Sequence, residues 1–231
     1  MTGKPLAVVL MSGGLDSCVT AAVARQEFDL AVCHAGYGQR TVVRELAAFR
    51  AQADFFGVRF RLEMDLPVLA QIGGSSLTDA RLPVPQEDTD PPGIPPTYVP
   101  FRNSLLLAAA VAWGEVLGAA AVYIGANILD NPGYPDCRPE YFAAFQRVIE
   151  LGTRPDTRMR LETPLIHLDK AAIIRWGRRL GAPLHLTWSC YLRDDVACGR
   201  CSSCRLRLKG FAEAGEADPL PYAPGAAVAG T

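Results

Sequence analysis

The sequence predicts an α/β fold in which a doubly wound parallel sheet is followed by a small C-terminal zinc-binding lobe. Apolar runs of strand length alternate with segments of helical period, which is the pattern of a parallel sheet covered by helices. Two adjacent glycines follow the first strand, and four cysteines crowd into residues 190 to 204. The alternation predicts the sheet, and the cysteines predict the lobe.

The strands and helices are predicted in chain order from these patterns. The first strand ends in Val8-Val9-Leu10, and the first helix begins at Asp16 or Ser17. Further strands are expected over 30–34, 58–64 and 121–124, and helices over 42–56, 104–117, 140–151 and 169–180. A Pro- and Gly-rich loop over 73–100 is either a functional lid or a disordered insert. The tail over 219–231 is rich in Pro, Ala and Gly and is predicted to be flexible.

Length and composition limit the possible functions. The chain has 231 residues, of which 49% are hydrophobic and 20% charged, an ordinary globular balance. This size suits one substantial domain over 1–184 with an appended lobe over 185–218. The net charge of −1 provides no broad basic field, so nucleic acid is not expected as a partner. No apolar run reaches membrane-spanning length and the N-terminus leads directly into a strand, so no membrane partner and a cytoplasmic location are expected.

The run Met11-Ser12-Gly13-Gly14-Leu15-Asp16-Ser17 is the strongest functional signal. Adjacent glycines let the backbone turn tightly beside a ligand, and the N–H groups of the turn and of the first helical turn then suit a phosphate chain. The run lacks the Gly-Lys-Ser/Thr of ordinary phosphate loops and the glycine pattern of dinucleotide sites. Ser-Gly-Gly-x-Asp-Ser resembles instead the pyrophosphate loop of enzymes that use ATP to adenylate a substrate.

Polar groups also follow the second and fourth predicted strands. Tyr37-Gly38-Gln39-Arg40 follows the second strand, and residues 125 to 138 follow the fourth. Ligands of parallel sheets lie beyond the carboxyl ends of the strands. We therefore expect these groups and the glycine loop to converge on one cleft.

The cysteine cluster predicts a metal site. Its members are spaced C-x7-C-x2-C-x2-C: Cys190, Cys198, Cys201 and Cys204. Four thiolates complete a tetrahedral zinc site and leave no position for an activated water, so the metal is expected to be structural. An iron–sulfur cluster and free core cysteines are the alternatives.

Taken together, the motifs resemble the QueC family of pyrophosphate-loop enzymes over about residues 7–218. The resemblance rests on the glycine loop, the Tyr37 segment, the run Gly-Tyr-Pro-Asp-Cys-Arg-Pro-Glu over 133–140 and the four cysteines, in this order. It implies an adenine nucleotide α-hydrolase-like fold and a homodimer. It also implies an ATP-dependent ligase of queuosine biosynthesis, which converts 7-carboxy-7-deazaguanine and ammonia to 7-cyano-7-deazaguanine through an adenylated carboxylate and an amide. The implied cofactors are ATP, Mg²⁺ and structural Zn²⁺.

The resemblance also implies residue roles. Asp16, Ser17 and Lys170 are the predicted catalytic residues: Asp16 positions magnesium or the loop, Ser17 holds pyrophosphate, and Lys170 offsets charge on the bridging oxygen. A solvated first-turn residue is the alternative for Lys170. The predicted ATP-binding residues are Met11, Ser12, Gly13, Gly14, Leu15, Asp16 and Ser17, with Gln39 and Arg40 as braces or, alternatively, in a surface salt bridge.

For the deazaguanine, a carboxylate accepts from the guanine-type N1–H and exocyclic amine, and an arginine neutralises the substrate carboxylate. The predicted contacts are Arg102, Asn103, Asp130, Tyr134, Asp136 and Arg138. The alternatives are that Asn103 only caps the helix at Ser104 and that Tyr134 only packs a loop.

Two other functions stay open from the sequence. A divergent relative stops at the amide or joins the deazaguanine to a protein amine, since the loop chemistry is the same until the nucleophile arrives. An RNA-modifying pyrophosphate-loop adenylase would use basic residues around the cysteines, although Asp194 and Asp195 dilute that patch. Those basic residues are Arg193, Arg200, Arg205, Arg207 and Lys209.

Overall fold

A five-stranded parallel sheet forms the centre of the computed structural model, within the residues that it describes: 3–85, 93–130 and 133–226. The strands are β1 (Leu6–Leu10), β2 (Asp29–Gly36), β3 (Phe60–Asp65), β4 (Ala121–Ile124) and β5 (Arg160–Glu162). Their order in the sheet is β3-β2-β1-β4-β5. The chain adds β2 and β3 on one side of β1 and then β4 and β5 on the other. The strand order therefore reverses between β1 and β4, and the crevice at such a reversal is where these sheets bind ligands.

Helices cover both faces of the sheet. They are α1 (Leu15–Ala24), α2 (Val42–Phe55), α3 (Val68–Ile72), α4 (Arg102–Leu117), α5 (Pro139–Gly152), α6 (Lys170–Arg179) and α7 (Ser202–Ala214). Alternate residues of β1 point to opposite faces, so Ala7 and Val9 pack against α1 and α2 while Val8 and Leu10 pack against α4 and α5. These buried apolar contacts on both faces account for the doubly wound arrangement that the alternating sequence predicts. Among the described residues, none of the helices combines the length and apolarity needed to cross a membrane.

The C-terminal segment packs against the main domain through α7. Phe211 of α7 is buried with Ile173 and Ile174 of α6 and with Val19 of α1. Gly210 lets the two helices approach closely, because a Cβ at this position would lie 2.7 Å from Cβ of Lys170. The proposed division of the chain at residue 184 stays a prediction. The segment after it packs directly on the α/β domain through the contact between α6 and α7.

The predicted strands and long helices are present, with bounds that differ by a few residues. Three elements of the structure, α3, β5 and α7, were not predicted from the sequence. Strand β5 has only three residues, and α7 lies in a segment whose polar and cysteine-rich composition hides its amphipathic face.

The first residues of the predicted tail pack against the rest of the protein. Leu220 is buried, Tyr222 donates a 2.6 Å hydrogen bond from its hydroxyl to Asp218, and the N–H of Ala223 donates to the carbonyl of Ala197. Residues 220–223 therefore contact the segment of the cysteine cluster, and the flexibility of the tail stays a prediction. Residues 227–231 of the tail and 86–92 of the Pro- and Gly-rich loop lie outside the described residues.

Candidate active site

A cleft of about 330 Å³ opens at the carboxyl ends of β1 and β4. The loop after β1 forms one wall, and the segment after β4 forms another. The first residues of α4, α6 and α7 complete it, so the N-termini of these helices and of α1 face the same space. The polar or charged side chains that line it are Ser12, Asp16, Ser17, Tyr37, Glu45, Thr97, Arg102, Asn103, Asp130, Tyr134, Lys170, Trp188, Ser189, Tyr191, Ser202 and Ser203.

The predicted pyrophosphate loop, residues 11–17, is held in shape by its own hydroxyl groups. The Ser17 hydroxyl donates to the carbonyl of Gly14 (3.1 Å) and accepts from the N–H of Ser12 (3.2 Å). The Ser12 hydroxyl accepts from the N–H of Gly14 (3.2 Å). Leu15, Asp16 and Ser17 then form the first turn of α1 at the cleft, where N–H groups have no partner within the helix. Such a turn favours an anion.

Gly13 faces away from the cleft and anchors the loop. Its φ of +85° is in the left-handed region that favours glycine, and a Cβ here would overlap the carbonyl oxygen of Glu45. Its own carbonyl accepts from the backbone N–H of Trp188 (2.9 Å) and from Nε2 of Gln52 (2.8 Å). The loop is thus fixed from behind by α2 and by the segment that leads into the cysteine cluster.

Lys170 joins the loop to the segment after β4. Its ammonium group lies 2.7 Å from Oδ1 of Asp16 and 2.8 Å from Oδ2 of Asp130. Burial lowers the pKa of Lys170, but the two carboxylates outweigh it and leave this pKa raised, so the lysine is a permanent cation. Burial raises the pKa of Asp130, which shares one cation with Asp16. The structure therefore brings two predicted catalytic residues together and places Asp130, a predicted substrate contact, with them.

Arg102 is a cation in the cleft without a carboxylate partner among the described residues. Its guanidinium donates to the Tyr37 hydroxyl at 2.9 Å, and Cζ lies 5.3 Å from the centre of the Tyr37 ring. Its Nε is buried and has no hydrogen-bond partner among the described residues. A buried guanidinium in this state suits an anionic ligand.

Glu45 is a cleft residue that sequence reasoning missed. It lies in the first turn of α2, and its carboxylate accepts from the Thr41 hydroxyl (2.8 Å) and from Nε2 of Gln39 (3.0 Å). Burial raises the pKa of Glu45, and these two hydrogen bonds only partly offset that effect. The signal in the sequence was an acidic residue shortly after the Tyr-Gly-Gln-Arg segment.

Of the predicted substrate contacts near α4, Tyr134 and Asn103 line the cleft, whereas Asp136 and Arg138 do not. Tyr134 lines the cleft, with its hydroxyl 2.8 Å from that of Thr97. Asn103 also lines it, but its N–H and side-chain amide bond to Asp136, at 3.0 Å to Oδ2 and 2.8 Å to the carbonyl. Asp136 thus caps α4 from outside the helix, whereas Arg138 is exposed at the start of α5.

Gln39 and Arg40 do not line the cleft. Besides Glu45, Gln39 binds the backbone N–H of Tyr37. The Arg40 guanidinium donates to the carbonyls of Ser76, Asp79 and Leu82, at 2.9, 3.1 and 2.6 Å. Arg40 therefore holds the start of the Pro- and Gly-rich loop over 73–100, whose Leu77 does line the cleft.

The four cysteines form one cluster beside the cleft. Their Sγ atoms lie within 4.8 Å of one another, and those of Cys198 and Cys204 are 3.9 Å apart. Tetrahedral zinc–thiolate bonds of about 2.3 Å require sulfur atoms about 3.8 Å apart. Backbone N–H groups of Arg200 and Cys201 also point at Sγ of Cys198 (3.4 and 3.3 Å). The donor set fits a zinc ion with four thiolate ligands.

Comparisons with known proteins cover nearly the whole chain. A family model described as "Queuosine biosynthesis protein QueC" matches residues 6–215. Proteins named 7-cyano-7-deazaguanine synthase are 52% identical in Chlorobium phaeobacteroides and 51% identical in Acidobacterium capsulatum, each over 94% of this chain and 96% of the relative. The protein of that name from Koribacter versatilis is 51% identical over 96% of this chain and 94% of its own. Among solved structures, NMN synthetase from Francisella tularensis superposes with a TM-score of 0.46 at 10% identity, over 94% of this chain and 79% of that one.

Proposed function

The chain belongs to the QueC family, and from that premise we propose that it is a 7-cyano-7-deazaguanine synthase. The observation that carries the proposal is the identity of about half of all residues to proteins of that name, over almost the full length of both chains. The resemblance implies that 7-carboxy-7-deazaguanine and ammonia are converted to the nitrile with ATP. The reaction class is an ATP-dependent carbon–nitrogen ligation.

The chemistry explains why ATP is needed. A carboxylate is a poor electrophile because its oxygen leaves poorly, and transfer of AMP to that oxygen provides a good leaving group. Ammonia then displaces AMP and forms the amide. A second ATP activates the amide oxygen, and elimination yields the nitrile.

The loop after β1 is suited to hold the pyrophosphate that departs in the first step. Hydroxyl groups of Ser12 and Ser17 and the first turn of α1 line the cleft beside Lys170. Because Lys170 is buried and stays protonated, it offsets negative charge on the bridging oxygen. Met11, Gly14 and Leu15 shape the same wall, while Gly13 provides the turn.

Arg102 is the proposed partner of the substrate carboxylate. It is the guanidinium among the described cleft residues that has no carboxylate partner. Tyr134 and Asn103 line the same region and remain proposed contacts of the heterocycle. Asp136 and Arg138 are proposed to act only through the position of this segment, since neither lines the cleft.

Two metal ions complete the proposal. Oxygen ligands such as Asp16 and Asp130 are those that Mg²⁺ prefers, and a bound magnesium ion would neutralise phosphate charge. Zinc on the four cysteines would be structural, because all four positions are filled by protein. The expected homodimer and cytoplasmic location rest on the family resemblance and the composition.

The RNA-modifying alternative is not favoured. Several cations that it would need are already paired within the chain: Arg193 with Asp195, Arg207 with Asp218 and Lys209 with Glu213. Arg207 is also buried, with hydrogen bonds to Thr187 and Leu184. A surface that binds RNA phosphates needs exposed and available cations.

Mass analysis of the reaction products tests the proposed function. The purified protein is incubated with 7-carboxy-7-deazaguanine, ATP, magnesium and ammonium, and we expect the nitrile together with AMP. Accumulated amide without nitrile would indicate the divergent relative. AMP release that requires RNA would indicate the rival adenylase.

A further inference from the structure

One carboxylate of the cleft, Glu45, forms no ion pair within the described residues. The acidic side chains of the cleft in the described residues are Asp16, Glu45 and Asp130. Asp16 and Asp130 share Lys170, whereas Glu45 forms no ion pair within the described residues. Both Glu45 oxygens accept hydrogen bonds from neutral groups, the Thr41 hydroxyl and the Gln39 amide. A half-buried carboxylate with only neutral hydrogen-bond partners suits a cationic or proton-donating ligand.

Glu45 also lies at the loop where the nucleotide is proposed to react. Its backbone carbonyl packs directly against Gly13, and its side chain lines the same cleft as Ser12, Gly14 and Arg102. Gln39 keeps the carboxylate oriented, since its Oε1 accepts from the N–H of Tyr37 while its Nε2 donates to Glu45. The carboxylate is therefore held in place beside the proposed reaction centre before any substrate arrives.

We propose that Glu45 binds the ammonium substrate and takes a proton from it, a catalytic role that rests on the proposed function. Ammonium has no free lone pair and cannot attack a carbon atom until a proton leaves. Transfer of that proton to a Glu45 oxygen frees the lone pair, which forms the C–N bond at the adenylated carbon. The bond from that carbon to the phosphate oxygen breaks, and its electron pair leaves with AMP. A second proton leaves the new nitrogen to solvent as the amide forms.

The electrostatic setting of Glu45 favours this step. Because burial raises the pKa of Glu45, its carboxylate is a stronger base than an exposed one. The positive charge of Arg102 lowers the same pKa and so offsets part of the effect of burial. The neutral donors Thr41 and Gln39 leave the negative charge available to an incoming cation.

A comparison of two nucleophiles tests the role of Glu45. Hydroxylamine is largely unprotonated near neutral pH, so it attacks the adenylated carbon without a base and gives a hydroxamate. For Glu45→Gln we expect kcat/KM for ammonium to fall about 100-fold, while hydroxamate formation changes less than about threefold. Glu45→Asp retains a carboxylate and should recover part of the ammonium reaction. Glu63→Gln, which breaks an exposed ion pair with Arg50, is the matched control.

The other outcomes overturn the role of Glu45. Equal losses with both nucleophiles would indicate a structural role, and no loss with either would remove Glu45 from the reaction. A raised KM for 7-carboxy-7-deazaguanine with both nucleophiles would mean that Glu45 recognises the heterocycle. If Glu45→Gln does not fold, Glu45→Asp provides the test. A loss of activity with ammonium alone would support the role of Glu45 as a base, and an equal loss with hydroxylamine would contradict it. A wild-type protein that forms neither amide, nitrile nor hydroxamate would instead refute the proposed function itself.

Discussion

The backbone N–H of Trp188 donates a 2.9 Å hydrogen bond to the carbonyl of Gly13. Only Ser189 separates Trp188 from Cys190 of the cysteine cluster. Gln52 strengthens the same connection, since its Nε2 lies 2.8 Å from the Gly13 carbonyl and 3.2 Å from that of Leu186. The shape of the proposed pyrophosphate loop, residues 11–17, therefore depends on the chain segment that leads into the cysteine cluster.

Removal of zinc should consequently weaken ATP binding. We expect a chelator, or the substitution Cys201→Ser, to raise the Kd for ATP about tenfold, since one or two hydrogen bonds of about 1 kcal/mol each no longer hold the loop. Isothermal titration calorimetry measures this Kd. Adding zinc to the chelated protein should restore the affinity for ATP, whereas adding magnesium should not. An unchanged Kd in a folded, metal-free protein would show that the loop is independent of the cluster.

The contact between Gly210 and Lys170 predicts a second effect. A valine at 210 would overlap the Cβ and Cγ of Lys170, so the lysine must move away from Asp16 and Asp130. Since small misplacements of a catalytic group cost about 100-fold in rate, we expect Gly210→Val to lower kcat by about that factor.

Steady-state kinetics of AMP release measures the effect of Gly210→Val. Gly152→Ala is the control, because a side chain at that position meets open space. Circular dichroism of both variants checks that the fold is intact. Full activity of a folded Gly210→Val protein would argue against a role for the exact position of Lys170.

How far the sequence predicts the site depends on whether the partners of a residue are local. The glycine loop and the cysteine spacing are local patterns, and both lead to the observed geometry. The environment of Arg40 is not local, since its partners are carbonyls about 40 positions later in the chain. The same holds for Asp136, whose carboxylate accepts a hydrogen bond from the N–H of Asn103, distant in sequence at the start of α4. Charged residues near a predicted cleft thus look alike in sequence until their tertiary partners are known.

Substitution of Arg102 is expected to change the affinity for 7-carboxy-7-deazaguanine without changing the affinity for ATP. Its guanidinium has only the Tyr37 hydroxyl as a hydrogen-bond partner in the described residues, so removing the charge breaks no ion pair within them. Charge-assisted hydrogen bonds contribute about 1.5–3 kcal/mol, so Arg102→Gln should raise the KM for 7-carboxy-7-deazaguanine about 10- to 100-fold. Arg102→Lys should recover only part of this loss, because lysine lacks the planar fork.

Kinetics with varied 7-carboxy-7-deazaguanine and calorimetry with ATP separate the two affinities. The exposed residue Arg50 provides a control of equal charge change, Arg50→Gln. A raised Kd for ATP in Arg102→Gln, with an unchanged KM for the acid, would assign this arginine to the nucleotide instead.

The buried carboxyl of Asp136 is expected to make the stability of the folded protein depend on pH. Burial raises the pKa of Asp136, and the hydrogen bond from the Asn103 N–H only partly offsets this effect. An acid whose pKa is raised in the folded state binds more protons there than when unfolded, so its contribution to stability is present at low pH and is lost as pH rises through the raised pKa. Asn at this position keeps an acceptor for the Asn103 N–H but cannot ionise. Denaturant unfolding should therefore show Asp136→Asn gaining stability relative to wild type as pH rises above the ordinary aspartate range, with the difference levelling off above the raised pKa.

Asp136→Ala should be less stable than Asp136→Asn at every pH, because the buried N–H of Asn103 loses its acceptor. A difference between wild type and Asp136→Asn that does not vary with pH would mean that this carboxyl ionises as freely in the folded protein as in the unfolded chain.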